Sequence, residues 1–278
     1  MEHDQKVREF YDSALYCYES IMGDRWHHGD PETEAKGATV LEACQVIEEK
    51  FVALAGLKPG GLALDFGCGI GGPTQHMAKV SGASFVGVTN NEGLQRRATQ
   101  KAQQSGVADK VRFLAIGDTD YQSFPQFADA TFDAVTFYES VCHLFDKAAF
   151  FKAVFRILKP GGRLVGTDWM QRPFGAHQTE EQIAKFIKPV NDSTAFSDLG
   201  SVRSYERMLR EAGFQVHMAR DLFEGVKCWG TVPEYERPQW LNYDGPGAEM
   251  FRTGKVALDA ARDAGVFTVG MYVAVKPL

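Results

Sequence analysis

The chain has 278 residues, 44% of them apolar, with 36 acidic against 30 basic side chains and a net charge of −6. That composition supports one sizeable core, and the acidic balance argues against nucleic acid as the main partner. No apolar run approaches the roughly 18 residues that span a bilayer, and Met1–Lys6 shows no apolar signal-peptide core, so the expectation is a cytoplasmic protein without a membrane span.

Residues 1–60 read as helical, with Val40, Leu41, Cys44, Ile47, Phe51 and Leu54 recurring at helix spacing as a stripe expected to pack on a sheet. Short apolar runs then alternate with helical segments. Strands are predicted at Leu62–Phe66, Ser84–Thr89, Val111–Ile116, Phe132–Tyr138, Arg163–Trp169, Phe214–Leu222 and Phe267–Val275. Helices are predicted at Thr74–Val80, Glu92–Ser105, Ala148–Leu158 and from Ser204 to Gly213. Asp146 is placed to cap the third of these, and Lys159-Pro-Gly-Gly162 to stop it. The first five strands are short, mainly apolar runs, as a sheet buried on both faces requires. Alternating β and α elements predict a right-handed, doubly wound α/β sheet.

Residues 171–200 and 225–262 interrupt this rhythm and are rich in Pro, Gly and aromatics, including Phe174, Phe186, Phe196, Trp229, Tyr235, Trp240 and Tyr243. They are expected to form a lid and substrate chamber near the carboxyl edge of the sheet, with ordinary surface packing as the alternative. The chain therefore divides into an N-terminal helical cap (1–60), a core (61–170) and lid insertions with the last two strands (171–278). The cysteines Cys17, Cys44, Cys68, Cys142 and Cys228 contain no Cys-x-x-Cys pair, and the His and acidic residues show no metal-ligand spacing. No disulfide framework and no metal site is predicted.

The most informative stretch is Leu62-Ala-Leu-Asp-Phe-Gly-Cys-Gly-Ile-Gly-Gly72, an apolar strand running through Asp65 into a glycine-rich turn. Glycine tolerates sharp dihedrals and lets backbone approach a ligand closely. In a doubly wound sheet this turn lies where nucleotide-like cofactors bind.

With Asp65 two positions before Gly67-Cys-Gly-Ile-Gly71, the sequence resembles the class I S-adenosylmethionine-dependent methyltransferases over most of residues 50–278. The resemblance implies a seven-stranded, mostly parallel Rossmann-like sheet, S-adenosyl-L-methionine as cofactor and a small-molecule acceptor; the sequence leaves a homo-oligomer open. It implies that Gly67, Gly69 and Gly71 accommodate the methionine and ribose parts while Asp65 organises the turn and the ammonium end. Asn90 or its neighbour stands where the family places an acid for the ribose hydroxyls, a departure that weakens the bond. Asp118, with Thr119, stands where the family holds the adenine amino group. A short-chain dehydrogenase, the competitor for such a turn, needs a Tyr-x-x-x-Lys on a helix. Tyr272 and Lys276, the pair present, fall in the predicted last strand.

Beyond the core, the chain resembles the subgroup containing the sterol, tocopherol and geranyl diphosphate C-methyltransferases, through Ile21-Met-Gly-Asp-Arg-Trp-His-His-Gly29, Gly87-Val-Thr89 and Tyr138-Glu-Ser140. This implies methylation of an isoprenoid alkene, in natural product biosynthesis, with Glu139 as base at the end of the fourth strand. An alkene attacking a sulfonium methyl leaves a carbocation, which a carboxylate can stabilise and deprotonate and aromatic faces can stabilise too. His143, four residues on, would share a helical face with Glu139 and is the base for an alternative O- or N-methylation, or else a packed histidine. Asp168 ends the fifth strand within reach of an acceptor. Arg25, His27 and His28 are placed to bind an anionic tail or to cap the N-terminal segment. Tyr11, Tyr16 and Tyr18 are placed to close the pocket.

Overall fold

The computed structural model describes residues 2–172, 179–228 and 242–278. Phe174, Trp229, Tyr235 and Trp240 of the expected lid lie outside the described residues. Seven strands form one sheet: β1 (Leu62–Phe66), β2 (Ser84–Thr89), β3 (Val111–Ala115), β4 (Phe132–Tyr138), β5 (Leu158–Gln171), β6 (Gln215–Asp221) and β7 (Phe267–Val275), in the order β3-β2-β1-β4-β5-β7-β6. The first five strands run parallel, and β7 runs antiparallel to both β5 and β6. This is the expected doubly wound, mostly parallel sheet. Strand order reverses between β1 and β4, the switch point at whose carboxyl end ligands of such sheets bind.

The sheet is buried because successive side chains of each strand serve opposite faces. Ala63 and Phe85 join Ile47, Phe51 and Met77 on one side, while Leu64 and Val135 join Phe150, Phe151 and Leu209 on the other. Helix α3 (Val40–Ala55) supplies the first side. Its capping box pairs Thr39 with Glu42, and Gly56 ends it at φ +65°. Cys44, Ile47 and Phe51 point inward as expected, but Leu41 is 52% exposed and does not belong to the stripe. Phe51 stacks on Tyr138 at 4.3 Å between ring centroids. The other side is served by α6 (Lys147–Ile157), capped by Asp146. Strand β5 begins five residues before the expected Arg163, because Leu158 pairs with Phe132 across a register irregularity.

Helix α1 (Glu2–Met22) is fastened near the carboxyl edge. Arg8 reaches Asp118 at 2.6 Å, Asp12 accepts from Asn91 Nδ2 at 2.7 Å, and Glu19 takes Arg97 of α5 (Glu92–Gln104) at 2.8 Å. Within the second expected lid stretch the chain forms a 16-residue helix, Ala248–Asp263 (the last helix, α10), which buries Phe251, Leu258 and Ala261.

Candidate active site

After β1 the backbone must turn sharply, and three positive φ angles do it: Gly67 (+72°), Gly69 (+53°) and Gly71 (+82°). A Cβ on Gly67 would sit 2.3 Å from Ser140 Cβ, and one on Gly71 would sit 2.6 Å from the Phe113 ring. Helix α4 (Gly72–Ser81) then leads away. A cavity opens beside this turn, bordered by Gly67, Gly69, Trp26, Asn90 and Asp118. Gly71 does not border it; its bare Cα allows close packing on Phe113.

Asp65 is 1% exposed, borders the same cavity, and accepts hydrogen bonds from the hydroxyls of Thr74 and, at 3.0 Å, Thr136. Burial pushes its carboxyl up to about 6 against the pull of those two hydroxyls. Of the two asparagines, Asn90 borders the cavity while Asn91 caps α5 through Leu94 N–H at 3.0 Å. Asp118 keeps one oxygen on Arg8, and its Oδ1 is buried without a hydrogen-bond partner among the described residues. Thr119 does not border the cavity. It immediately precedes a 3₁₀ turn (Asp120–Gln122). A nucleoside carrying an amino donor and a charged amino-acid tail suits this set. Bare backbone meets the glycine turn, an amide and a buried open carboxylate oxygen lie on the rim, and Asp65 lies below.

A second cavity adjoins the first. Both are bordered by Tyr11, Trp26, His27, Glu139 and His143, while Phe10, Tyr18, Trp169, Phe196 and Phe251 belong to the second. Glu139 thus stands at the junction, at φ +50°, an uncommon conformation for a residue with a Cβ. It is 8% exposed. Its Oε1 accepts from His28 N–H at 2.6 Å, its Oε2 accepts from Trp169 Nε1–H, and His28 Nδ1 is 2.9 Å from Oε2. Burial works against its charge, yet His28 and then His27 outweigh it and hold the carboxyl below its ordinary range.

His27, 2% exposed, stacks on Tyr138 at 4.5 Å and lies 3.1 Å from Glu48 Oε1. Burial opposes its charge, but Glu48, Glu139 and the His28 carbonyl raise its pKa above the usual imidazole value. His143 behaves oppositely. Its Nδ1 faces Ala195 O at 3.3 Å, its Nε2 lies 2.9 Å from Tyr11 OH, and burial lowers its pKa to about 4. Glu139 and His143 do not share a helical turn, because Glu139 has left-handed backbone and Val141–His143 is a 3₁₀ turn.

Three further residues expected to touch substrate border neither cavity. Arg25 is taken by Glu48 at 2.9 Å and Asp24 at 2.6 Å. His28 lies behind Glu139, with its Nε2 3.1 Å from Cys228 Sγ. Asp168 is fully buried, accepts from Tyr205 OH at 2.7 Å, and is pushed up to about 7 by burial. Tyr18 does border the second cavity, whereas Tyr16 is 61% exposed. Sequence reasoning missed Trp26, Trp169 and the α10 residues Lys255, Asp259 and Arg262. Among the described residues no group of three His, Cys, Asp or Glu could hold a metal ion, and no helix is long and apolar enough to cross a membrane.

A family model described as "Methyltransferase domain" matches residues 64–166. The 27-O-demethylrifamycin SV methyltransferase of Amycolatopsis mediterranei is 30% identical over 84% of this chain and 79% of its own length. The chain belongs to the class I S-adenosylmethionine-dependent methyltransferases. Cycloartenol-C-24-methyltransferase 1 of Oryza sativa subsp. japonica is 32% identical over 78% of this chain; the chain spans only 61% of that relative's length. Among solved structures, the [4+2]-cyclase SpnF superimposes with a TM-score of 0.80 at 22% identity, covering 99% of this chain and 97% of that one. Geranyl diphosphate C-methyltransferase from Streptomyces coelicolor does so with a TM-score of 0.74 at 18% identity, covering 99% and 98%. At these identities the two structures share the fold.

Proposed function

We propose that this methyltransferase transfers a methyl group to a carbon of an isoprenoid alkene, a prenyl diphosphate or a prenylated natural product, with Glu139 as cation stabiliser and base. The observation that carries this reading is the position of Glu139, a buried carboxyl group where the two cavities meet, beside Trp26, Trp169 and Tyr11. The sterol C-24 methyltransferase among its relatives supports carbon as the methylated atom.

Bound in the first cavity, S-adenosylmethionine supplies an electrophilic sulfonium methyl. Asp65, Gly67, Gly69, Asn90 and Asp118 would hold it, with Asp118 Oδ1 accepting from the adenine amino group and Asn90 from a ribose hydroxyl. The second cavity holds the alkene against aromatic walls and excludes water. The alkene π pair would form the new carbon–carbon bond as the methyl–sulfur bond breaks and its electron pair leaves with S-adenosylhomocysteine, so positive charge develops on the neighbouring alkene carbon. The Glu139 carboxylate and the ring faces stabilise that charge. Glu139 then removes a proton from the adjacent carbon, and the C–H pair becomes the product double bond. His28 and Trp169 hold the carboxylate in place as their N–H groups point at it.

The rifamycin relative motivates a second reading, O- or N-methylation of a secondary metabolite with His143 as base. A histidine lowered to about 4 with Nε2 beside Tyr11 OH is a weak base at neutral pH. Turnover of Glu139→Gln and His143→Ala discriminates. Under the alkene reading Glu139→Gln loses at least about 10²-fold in kcat and His143→Ala loses less. The reverse order sinks it, and full turnover in both would leave positioning alone as the source of catalysis.

A further inference from the structure

Helix α10 carries a glycine, Gly254, well inside its sixteen residues. Glycine weakens a helix interior relative to alanine, because it loses more backbone freedom on folding. Neither feature that calls for glycine at Gly67 and Gly71 is found here. Those two have positive φ, and a Cβ on either would meet a neighbour closer than 3.0 Å. Gly254 is not among the positive-φ glycines, and a Cβ on it would lie 3.8 Å from Ser193 Oγ, an ordinary contact. Backbone conformation and close packing therefore both leave room for a side chain.

What a larger side chain would take is cavity space. Gly254 and Ser193 both border the acceptor cavity. Ser193 ends helix α8 (Lys188–Ser193), which packs against α10. Farther along α10, Arg262 Nε donates to Cys228 O at 2.7 Å, and the Cys228 thiol touches His28, the residue behind Glu139. Arg262 thus marks the reacting end, and Gly254 stands about 12 Å back along the helix from it, at 1.5 Å per residue. There the cavity meets a surface groove between α1, α8 and the start of α10; Phe10, Ser193 and Met250 border both. Lys6, Glu9, Asp192 and Glu249 also line the groove, and such walls suit a polar group better than a hydrocarbon.

We propose that Gly254 sets the length of acceptor that the site takes: its missing side chain leaves the remote end of the cavity open to the groove, so that a chain longer than the cavity runs out between α1 and α10. This rests on the second cavity being the chamber for an isoprenoid acceptor. The aromatic cavity holds the apolar stretch with the reacting alkene, and the groove receives the polar end of the same molecule.

Calorimetric binding of geraniol, farnesol and geranylgeraniol to the full chain loaded with S-adenosylhomocysteine tests this, since the three share a hydroxyl end and lengthen by one isoprene unit at a time. The wild type is expected to bind geranylgeraniol at least as tightly as geraniol. Gly254→Leu introduces a good helix former and should lower the ratio of geranylgeraniol to geraniol affinity at least about tenfold. Gly254→Ala, whose Cβ makes only an ordinary contact, should change that ratio far less. Ser193→Leu should lower it from the facing wall. Weaker wild-type binding of geranylgeraniol than of geraniol overturns the assignment, as does a ratio that Gly254→Leu leaves unchanged. Where Gly254→Leu no longer binds S-adenosylhomocysteine, the wild-type ranking and Ser193→Leu decide. Wild-type binding of S-adenosylhomocysteine with none of the three alcohols overturns the isoprenoid chamber, and this assignment with it.

Discussion

Glu48→Gln tests the electrostatic arrangement beneath the site. Glu48 is fully buried on α3 and holds two cationic groups through one oxygen, His27 at 3.1 Å and Arg25 at 2.9 Å. The His27 pKa is raised in the folded protein. Its stabilising contribution is therefore complete below the unfolded imidazole value of about 6.5 and fades as pH rises through the folded value. Glutamine keeps the shape but removes the charge, so His27 loses the largest of the interactions that favour its cation and burial pushes it toward the neutral form. Near pH 6 the variant leaves a buried cation without its partner, a loss of about 3–5 kcal/mol. As pH rises through the folded value His27 becomes neutral in both proteins, and Arg25 keeps Asp24 at 2.6 Å. The loss should then shrink to about 2 kcal/mol, one charged hydrogen bond. Urea unfolding followed by tryptophan fluorescence at pH 6 and pH 9 measures the difference. An equal loss at pH 6 and pH 9 would refute the assignment of His27 as the charged partner.

Gly67→Ala should lower S-adenosylhomocysteine affinity at least about tenfold, because its Cβ would meet Ser140 at 2.3 Å in a left-handed conformation; equilibrium dialysis with unchanged affinity would show that the turn yields. The Asp65 carboxyl is raised to about 6 by burial, so the folded protein binds the proton more readily than the unfolded chain. Without cofactor, stability should fall as pH rises from about 4 to 6 through this group, and unfolding midpoints of Asp65→Asn should lack that slope. Because His143 is lowered to about 4, the pH–rate profile should show no inflection near 6.5 from this ring. An inflection there that disappears in His143→Ala would make it a titrating base.

The sheet was the most legible part. Leu62–Phe66, Ser84–Thr89, Phe132–Tyr138 and Phe267–Val275 are strands to the residue, because apolar runs bounded by glycine, polar or charged residues mark buried strands clearly. Helix α10 was hidden by the Pro- and Gly-rich stretch before it, although Phe251, Leu258 and Ala261 already carry helix spacing. Glu139 was legible from its place after β4, but its neighbours were not. A strand end brings two consecutive side chains to opposite faces. Within β5 that parity turns Asp168 into the core beside Tyr205 and brings Trp169 to Glu139. His27 and His28 divide the same way, one bordering the cavities and the other buttressing Glu139 from behind. Sequence adjacency carries no information on which side of a cavity wall each will fall.

The most direct test of carbon methylation is incubation with methyl-labelled S-adenosylmethionine and a panel of prenyl diphosphates, prenyl carboxylates, prenylated aromatics and phenols, followed by product mass and label position. The account predicts label on an isoprenoid carbon, with one proton lost from its neighbourhood and the product abolished in Glu139→Gln. Label on oxygen or nitrogen, formed equally well without the Glu139 carboxylate, would contradict it.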